Sequence, residues 1–452
     1  MTLRTFLIAC AMVWPLGSGA QEPSPVRVQS YTLTNGLKVH FVEDHSAQVV
    51  AVNLWYDVGS RNERVGRTGF AHLFEHMMFQ GSTNVGKMEH GQLIERAGGD
   101  FNGATQPDRT NYYNVVPSNR VNLALWLEAE RMRGLAITPE NLINQREAVK
   151  EERRLRVDNQ AYSPAIIDSL PTLFSRERCF AYAHSIIGSM ADLDAATVDD
   201  VRAFFAQHYA PNTAVLVIAG DVVPATVLPV VQQYFGRIPA GPRREPVTCD
   251  APASATSATS ATSAVVKRIS DANATLPAVL IAYRTMPPAH PDYPALVLLS
   301  TILGEGESSR LHRSLVRGSQ VAVGTQTLHD PFGPMRAGGL FAVLAIANAS
   351  VGVDSLHAAV EREARVAADG ITADELEKAK NVWRARVIFG RQTALDVSEA
   401  VQYAALYLGS PSAVNAEASR YAAVTVADLR RVARTYLRPG NSLTLLISAE
   451  MR

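Results

Sequence analysis

Five consecutive residues, His72-Leu73-Phe74-Glu75-His76, have the types and spacing that metal-assisted hydrolysis requires. Successive residues of an α-helix turn by about 100°, so His72, Glu75 and His76 fall within an arc of roughly 100° on one face. Two imidazoles one turn apart suit tetrahedral Zn²⁺, which at catalytic sites keeps three protein ligands and one open position. Such a metal lowers the pKa of water towards neutrality, and Glu75 beside the ligands is placed to act as general base. With 11 His in 452 residues, chance yields this pattern in only about one comparable chain in a hundred. The competing reading is a pair of surface or core histidines that bind nothing.

The third ligand must come from another element. Its best source is a helix opening at Thr138-Pro139-Glu140, with Thr138 as N-cap and Pro139 in the first helical position. Glu147, Glu151 and Glu152 lie along it. A helical wheel places Leu142, Ala148, Val149 and Leu155 on one side with Glu152 among them, and turns Glu147 and Glu151 towards Asn144 and Arg154. An inward carboxylate is costly unless it is paired or metal-bound. Glu152 is therefore the candidate ligand, and a buried ion pair with Arg146 or Arg153 is the alternative.

A repeat organises these elements. Thr197-Val198-Asp199-Asp200-Val201-Arg202, followed by Pro211 and Ala214-Val215-Leu216-Val217-Ile218, returns as Thr425-Val426-Ala427-Asp428-Leu429-Arg430, Pro439 and Ser442-Leu443-Thr444-Leu445-Leu446, at a constant offset of 228 residues. The same offset lays Ala51-Trp55 on Val279-Tyr283. Apolar β-branched strands with long helical patterns between them predict an α+β fold of two homologous layered domains, helices packed on mostly antiparallel sheets. Thr372-Ala373-Asp374-Glu375 reads as a capping box opening a helix. The expected divisions are a signal peptide over 1–20, a zinc-binding domain over 25–248, an Ala/Ser/Thr linker over 249–265, and a second domain over 266–452. The second half lacks the box: His290, His312, His329 and His357 include no pair four apart, and the equivalent region reads Leu296-Val297-Leu298-Leu299-Ser300-Thr301-Ile302-Leu303.

Lys+Arg and Asp+Glu are 43 each, so no net field draws nucleic acid or an anionic membrane. Arg4, the apolar run from Phe6 to Leu16 and Ser18-Gly19-Ala20 have the order of a secretory signal peptide cut after Ala20, which predicts a periplasmic or secreted protein. No other apolar stretch of about 18 residues is present, so no transmembrane anchor is expected. Cys179 and Cys249 would survive cleavage, paired or free.

The chain resembles the pitrilysin and insulinase family of inverted zinc metallopeptidases, which includes the mitochondrial processing peptidases. The resemblance rests on Gly59-Ser60-Arg61-Asn62-Glu63, on Gly69 to Ser82 around the box, on Gly98-Gly99-Asp100-Phe101-Asn102, on Arg146 to Glu152, on His208-Tyr209-Ala210-Pro211-Asn212, and on Ser309-Arg310-Leu311 and Glu375 to Asn381. It implies a zinc cofactor held by His72, His76 and Glu152, with Glu75 as base. Many members carry a further glutamate seven residues before the last ligand; here that position is Gln145. The resemblance also implies a peptide substrate added as a strand to a sheet edge over Phe101-Asn102-Gly103-Ala104-Thr105, where Asn102 hydrogen-bonds it. It implies an arginine, Arg317, that holds the substrate backbone together with a tyrosine, whose position is occupied by Val323. Enzymes of the family use four such domains around a chamber, and this chain supplies two. A homodimer, or a heterodimer with a homologue, is therefore expected. The functional expectation is a secreted zinc endopeptidase, with a non-catalytic or conditionally active subunit as the alternative.

Overall fold

The computed structural model describes residues 24–174, 179–244, 247, 265–367 and 369–450. The expected signal peptide lies outside them, as does the expected linker except for Val265, which opens a strand.

Strands β1 (Gln29–Thr32), β2 (Lys38–Glu43), β3 (Val49–Tyr56), β4 (Asp100–Thr105), β5 (Thr110–Pro117) and β6 (Ala214–Gly220) form one sheet in the order β1-β2-β6-β3-β5-β4. Strands β7 (Val265–Asp271), β8 (Ala278–Thr285), β9 (Ala322–His329), β10 (Gly339–Ala347) and β11 (Ser442–Ala449) form a second, in the order β7-β11-β8-β10-β9. The second sheet repeats the first without β1. In both, one pair is parallel, β2 with β6 and β7 with β11, and every other pairing is antiparallel. The sequence repeat maps onto this topology, because the helices Val198–His208 and Val426–Tyr436 each open with a capping box, Thr197 with Asp200 and Thr425 with Asp428. The architecture is the α+β arrangement expected from the strand and helix patterns.

Four helices of the first half bear on the site: α1 (Phe70–Met77), α2 (Glu89–Arg96), α3 (Val121–Arg133) and α4 (Pro139–Arg153). They cover one face of the first sheet, burying Val52, Leu54, Leu73, Phe74 and Leu125 in a shared core. The other face is covered by the helix Ala394–Tyr407 of the second half, with Val401 and Ala404 against Val42, Val217 and Ala219. Covered on both sides, β3 is buried at every position after Val49 and does not alternate. The exchange is reciprocal: Ala165, Leu170, Phe174 and Tyr182 of the first half pack on Leu280, Leu340 and Leu445 of the second sheet. Gln402 Nε2 also donates to the carbonyls of Asn53 (3.0 Å) and Val215 (2.8 Å). Each half thus supplies part of the other's core.

Candidate metal centre

Helix α1 starts abruptly, since Gly69 sits at its N-cap with φ 84° and has no side chain to satisfy the first N–H groups. A Cβ there would lie 2.6 Å from the Ile187 carbonyl oxygen, so this left-handed position needs glycine twice over. The missing cap is supplied from the loop before it. The buried Glu63 carboxylate accepts from the N–H of Gly69 (2.9 Å) and of Ala71 (2.7 Å). Leu73, Phe74 and Met77 then turn into the core, which leaves His72, Glu75 and His76 on the opposite, half-buried side.

Helix α4 opens as its sequence indicates, with Thr138 Oγ1 accepting from Asn141 N–H and Pro139 in the first turn. Its inward stripe is narrower than the wheel suggests. Leu142, Gln145 and Val149 are buried and Glu152 is half-buried, whereas Ala148 is exposed and Leu155 is 56% exposed. Leu155 leaves the stripe because the helix passes into a π-turn at Arg154–Asp158, where the hydrogen bonding spans five residues and the angular register slips. Glu147 and Glu151 are exposed, as the wheel places them.

The two helices bring three donors together. Glu152 Oε2 lies 3.2 Å from His76 Nε2 and 3.6 Å from His72 Nε2, and the three candidate ligand atoms lie within 4.8 Å of one another. Tetrahedral bonds of about 2.1 Å put donors about 3.4 Å apart, so the donor chemistry and the two separations from Glu152 fit zinc. Neither Arg146 nor Arg153 takes Glu152: Arg146 turns to Glu147 and Asp194, and Arg153 pairs with Asp168 at 2.8 Å. The carboxylate's other oxygen is 3.0 Å from the exposed Arg156. Burial, reinforced by His76, lowers the His72 pKa to about 4, which keeps that imidazole neutral and able to ligate. Burial also lowers His76, but its hydrogen bond with Glu152 and the nearby carboxylates outweigh burial and raise it. The same hydrogen bond holds Glu152 below the usual carboxylate range. Gln145 also hydrogen-bonds His76.

Glu75 stands beside these donors, its pKa raised by burial against a hydrogen bond from Thr105 Oγ1 at 2.5 Å. Strand β4 passes close by: a Cβ on Gly103 would be 3.3 Å from Glu75 Cγ. Asn102, exposed on the same strand, accepts from the Gly103 N–H at 2.8 Å. His72, Glu75, His76, Asn102 and Glu152 all line one cavity of about 970 Å³, whose far wall includes Tyr182 of the first half and Met335 and Leu340 of the second. Arg317 lies outside that lining and is ion-paired with Glu307, while Val323 on β9 is 50% exposed. Sequence reasoning attached no role to Glu63 or Thr105. Their partners lie six to thirty residues away in other elements, so no helical or strand period announces them.

Comparison with known proteins adds to this geometry. Residues 38–178 match the model described as insulinase (peptidase family M16), and residues 195–382 the one described as peptidase M16 inactive domain. Zinc protease PqqE of Helicobacter pylori is 28% identical over 430 residues, 93% of this chain and 92% of that protein. An uncharacterized zinc protease of Mycobacterium leprae is 30% identical over 363 residues, 79% of this chain and 78% of that one. Among solved structures, a protease from Helicobacter pylori superposes with a TM-score of 0.85 at 25% identity, covering 94% of this chain and all of that chain (100%). The periplasmic protease PqqL of Escherichia coli gives a TM-score of 0.71 at 17% identity, with 94% of this chain spanning 48% of that one.

Proposed function

We propose that this chain, which belongs to the insulinase (M16) peptidase family, is a zinc-dependent endopeptidase that hydrolyses peptides or unfolded polypeptide segments. The observation that carries the proposal is the meeting of two imidazole nitrogens and one carboxylate oxygen beside the half-buried Glu75, in a cavity bordered by a sheet edge. His72, His76 and Glu152 hold the zinc, which when bound supplies Lewis acidity to water and to the scissile carbonyl. Glu75 accepts the proton of the attacking water and returns it to the leaving amine. An extended peptide pairs with the open edge of β4, where Asn102 contacts its backbone. Gln145 keeps a hydrogen bond to His76 without adding negative charge near the metal.

The first domain spans 25–248 and the second begins at Val265, where β7 opens, with the segment between them as linker. The second contributes wall rather than ligands, since its part of the cavity is apolar at Phe332, Met335 and Leu340. Export to the periplasm or beyond is supported by the leader-like residues 1–20 and by Cys179, which is disulfide-bonded. Cys249 lies outside the described residues. No helix among the described residues is long and apolar enough to cross a membrane.

The working unit is a dimer, of this chain with itself in this reading and with a homologue in the second. That a structural neighbour carries about twice this length in one chain supports a need for two such units. The second reading, a subunit active only with a partner, is favoured by Arg317, tied to Glu307 away from the cavity, and by Val323. Purifying the chain without residues 1–20 and measuring bound zinc, mass and cleavage of a quenched peptide mixture separates the two. The endopeptidase reading expects zinc and cleavage from the chain alone, and expects Glu152→Gln to lose most of the zinc. Full zinc with cleavage only after a homologue is added would establish the second reading instead.

A further inference from the structure

Helix α1 fixes the Cα of Glu75, but three side-chain torsions still separate it from its carboxylate. A general base must lie within hydrogen-bond reach of the proton it takes, so something must hold those torsions. The holder is on β4. Phe101, Gly103 and Thr105 occupy one side of that strand, half-buried, while Asn102 and Ala104 on the other side are exposed. Gly103 lets the strand come close to the Glu75 side chain, and Thr105 Oγ1 donates to Oε2 at 2.5 Å.

Thr105 is in turn anchored through its hairpin. It is registered opposite Thr110 of β5, the two hydroxyl oxygens are 3.5 Å apart, and Thr110 Oγ1 donates to the Val58 carbonyl at 3.0 Å. Strand β4 is also the outermost strand of its sheet, so one row of its main-chain groups is left for an incoming peptide.

We propose that Thr105 is the positioning residue for Glu75, and that β4 thereby couples the seating of a peptide main chain to the setting of the base. The proposal rests on the endopeptidase reading above. A peptide paired along β4 completes the sheet on its open side and holds Thr105 against Glu75. A substrate too short to pair leaves strand and base looser, and the loss falls on kcat rather than on binding alone.

The test compares the zinc-loaded wild type with Thr105→Val, which keeps the strand-favouring branch and loses the hydroxyl, and Thr105→Ser, which keeps the hydroxyl. Each is assayed for bound zinc, and for kcat and KM on a long quenched peptide and on one truncated to the residues flanking the scissile bond. Thr105→Val is expected to retain zinc and KM while kcat on the long peptide falls on the order of 10- to 100-fold. Thr105→Ser is expected to restore most of that loss. Truncating the peptide should lower kcat in the wild type and have little further effect in Thr105→Val. Unchanged kcat in Thr105→Val, an equal loss in Thr105→Ser, or an undiminished truncation effect in Thr105→Val would overturn the inference while leaving the endopeptidase reading intact. A wild type that binds zinc and cleaves neither peptide, alone or with a homologue, would overturn both.

Discussion

Glu63 shows how much of this site depends on a residue that touches neither the proposed ligands nor the proposed base. Its carboxylate stands in for the cap that Gly69 cannot provide and fixes the first turn of α1, from which His72 projects. Glu63→Ala leaves the N–H groups of Gly69 and Ala71 without their acceptor. We expect a loss of about 1–3 kcal/mol in stability, read by denaturant unfolding, together with weaker zinc binding in a metal titration. An unchanged zinc affinity would mean that α1 keeps its start without the cap. At this scale the sequence is legible where the chemistry is local. His72, Glu75 and His76 declare themselves by spacing within one turn, and Glu152 by an inward position on α4. Glu63 and Thr105 do not, because loop and strand partners bring them in. The structure gathers His72, Glu75, His76, Glu152 and Asn102 at one cavity and leaves Arg317 elsewhere.

The elements were legible where caps and periods agree. Thr138 and Pro139 open α4, and Thr372 with Glu375 opens the helix Ala373–Phe389, as their spacing indicates. Leu155 misled the wheel because a π-turn is a change of hydrogen-bond register that residue types do not reveal. The Glu375 box also carries a pH dependence. Burial raises its carboxyl, but hydrogen bonds from Arg310 and from the Thr372 N–H outweigh that and bring the pKa to about 2. A carboxylate depressed in the folded state stabilises fully above its unfolded value, about 4.5 for Glu375, and loses that contribution as pH falls towards 2. Glu375→Gln should therefore flatten the fall of stability between about pH 4.5 and 2, measured by urea unfolding across that window. An unaltered slope would show that Arg310 and the box do not distinguish folded from unfolded chain.

At the scale of the molecule, the repeat revealed two related halves but not their exchange of helices. An amphipathic helix such as Ala394–Tyr407 declares an apolar face, not which sheet it will cover. Because Val401 and Ala404 complete the first half's packing and Phe174 and Tyr182 the second's, neither half has a finished core alone. The chain is expected to unfold in one calorimetric transition despite its two sheets; two separated transitions would show that the exchanged contacts are weak. The same interlock gives the cavity walls from both halves, with the three donors, the half-buried Glu75 and the β4 edge facing one space. The central claim is that Glu75 performs the proton transfer while His72, His76 and Glu152 hold the metal. It is tested most directly by measuring zinc content and peptide turnover of Glu75→Gln beside the wild type. The account expects the variant to keep one zinc per chain and to lose turnover by at least about 100-fold. A zinc-loaded Glu75→Gln protein that cleaves peptide at the wild-type rate would contradict it.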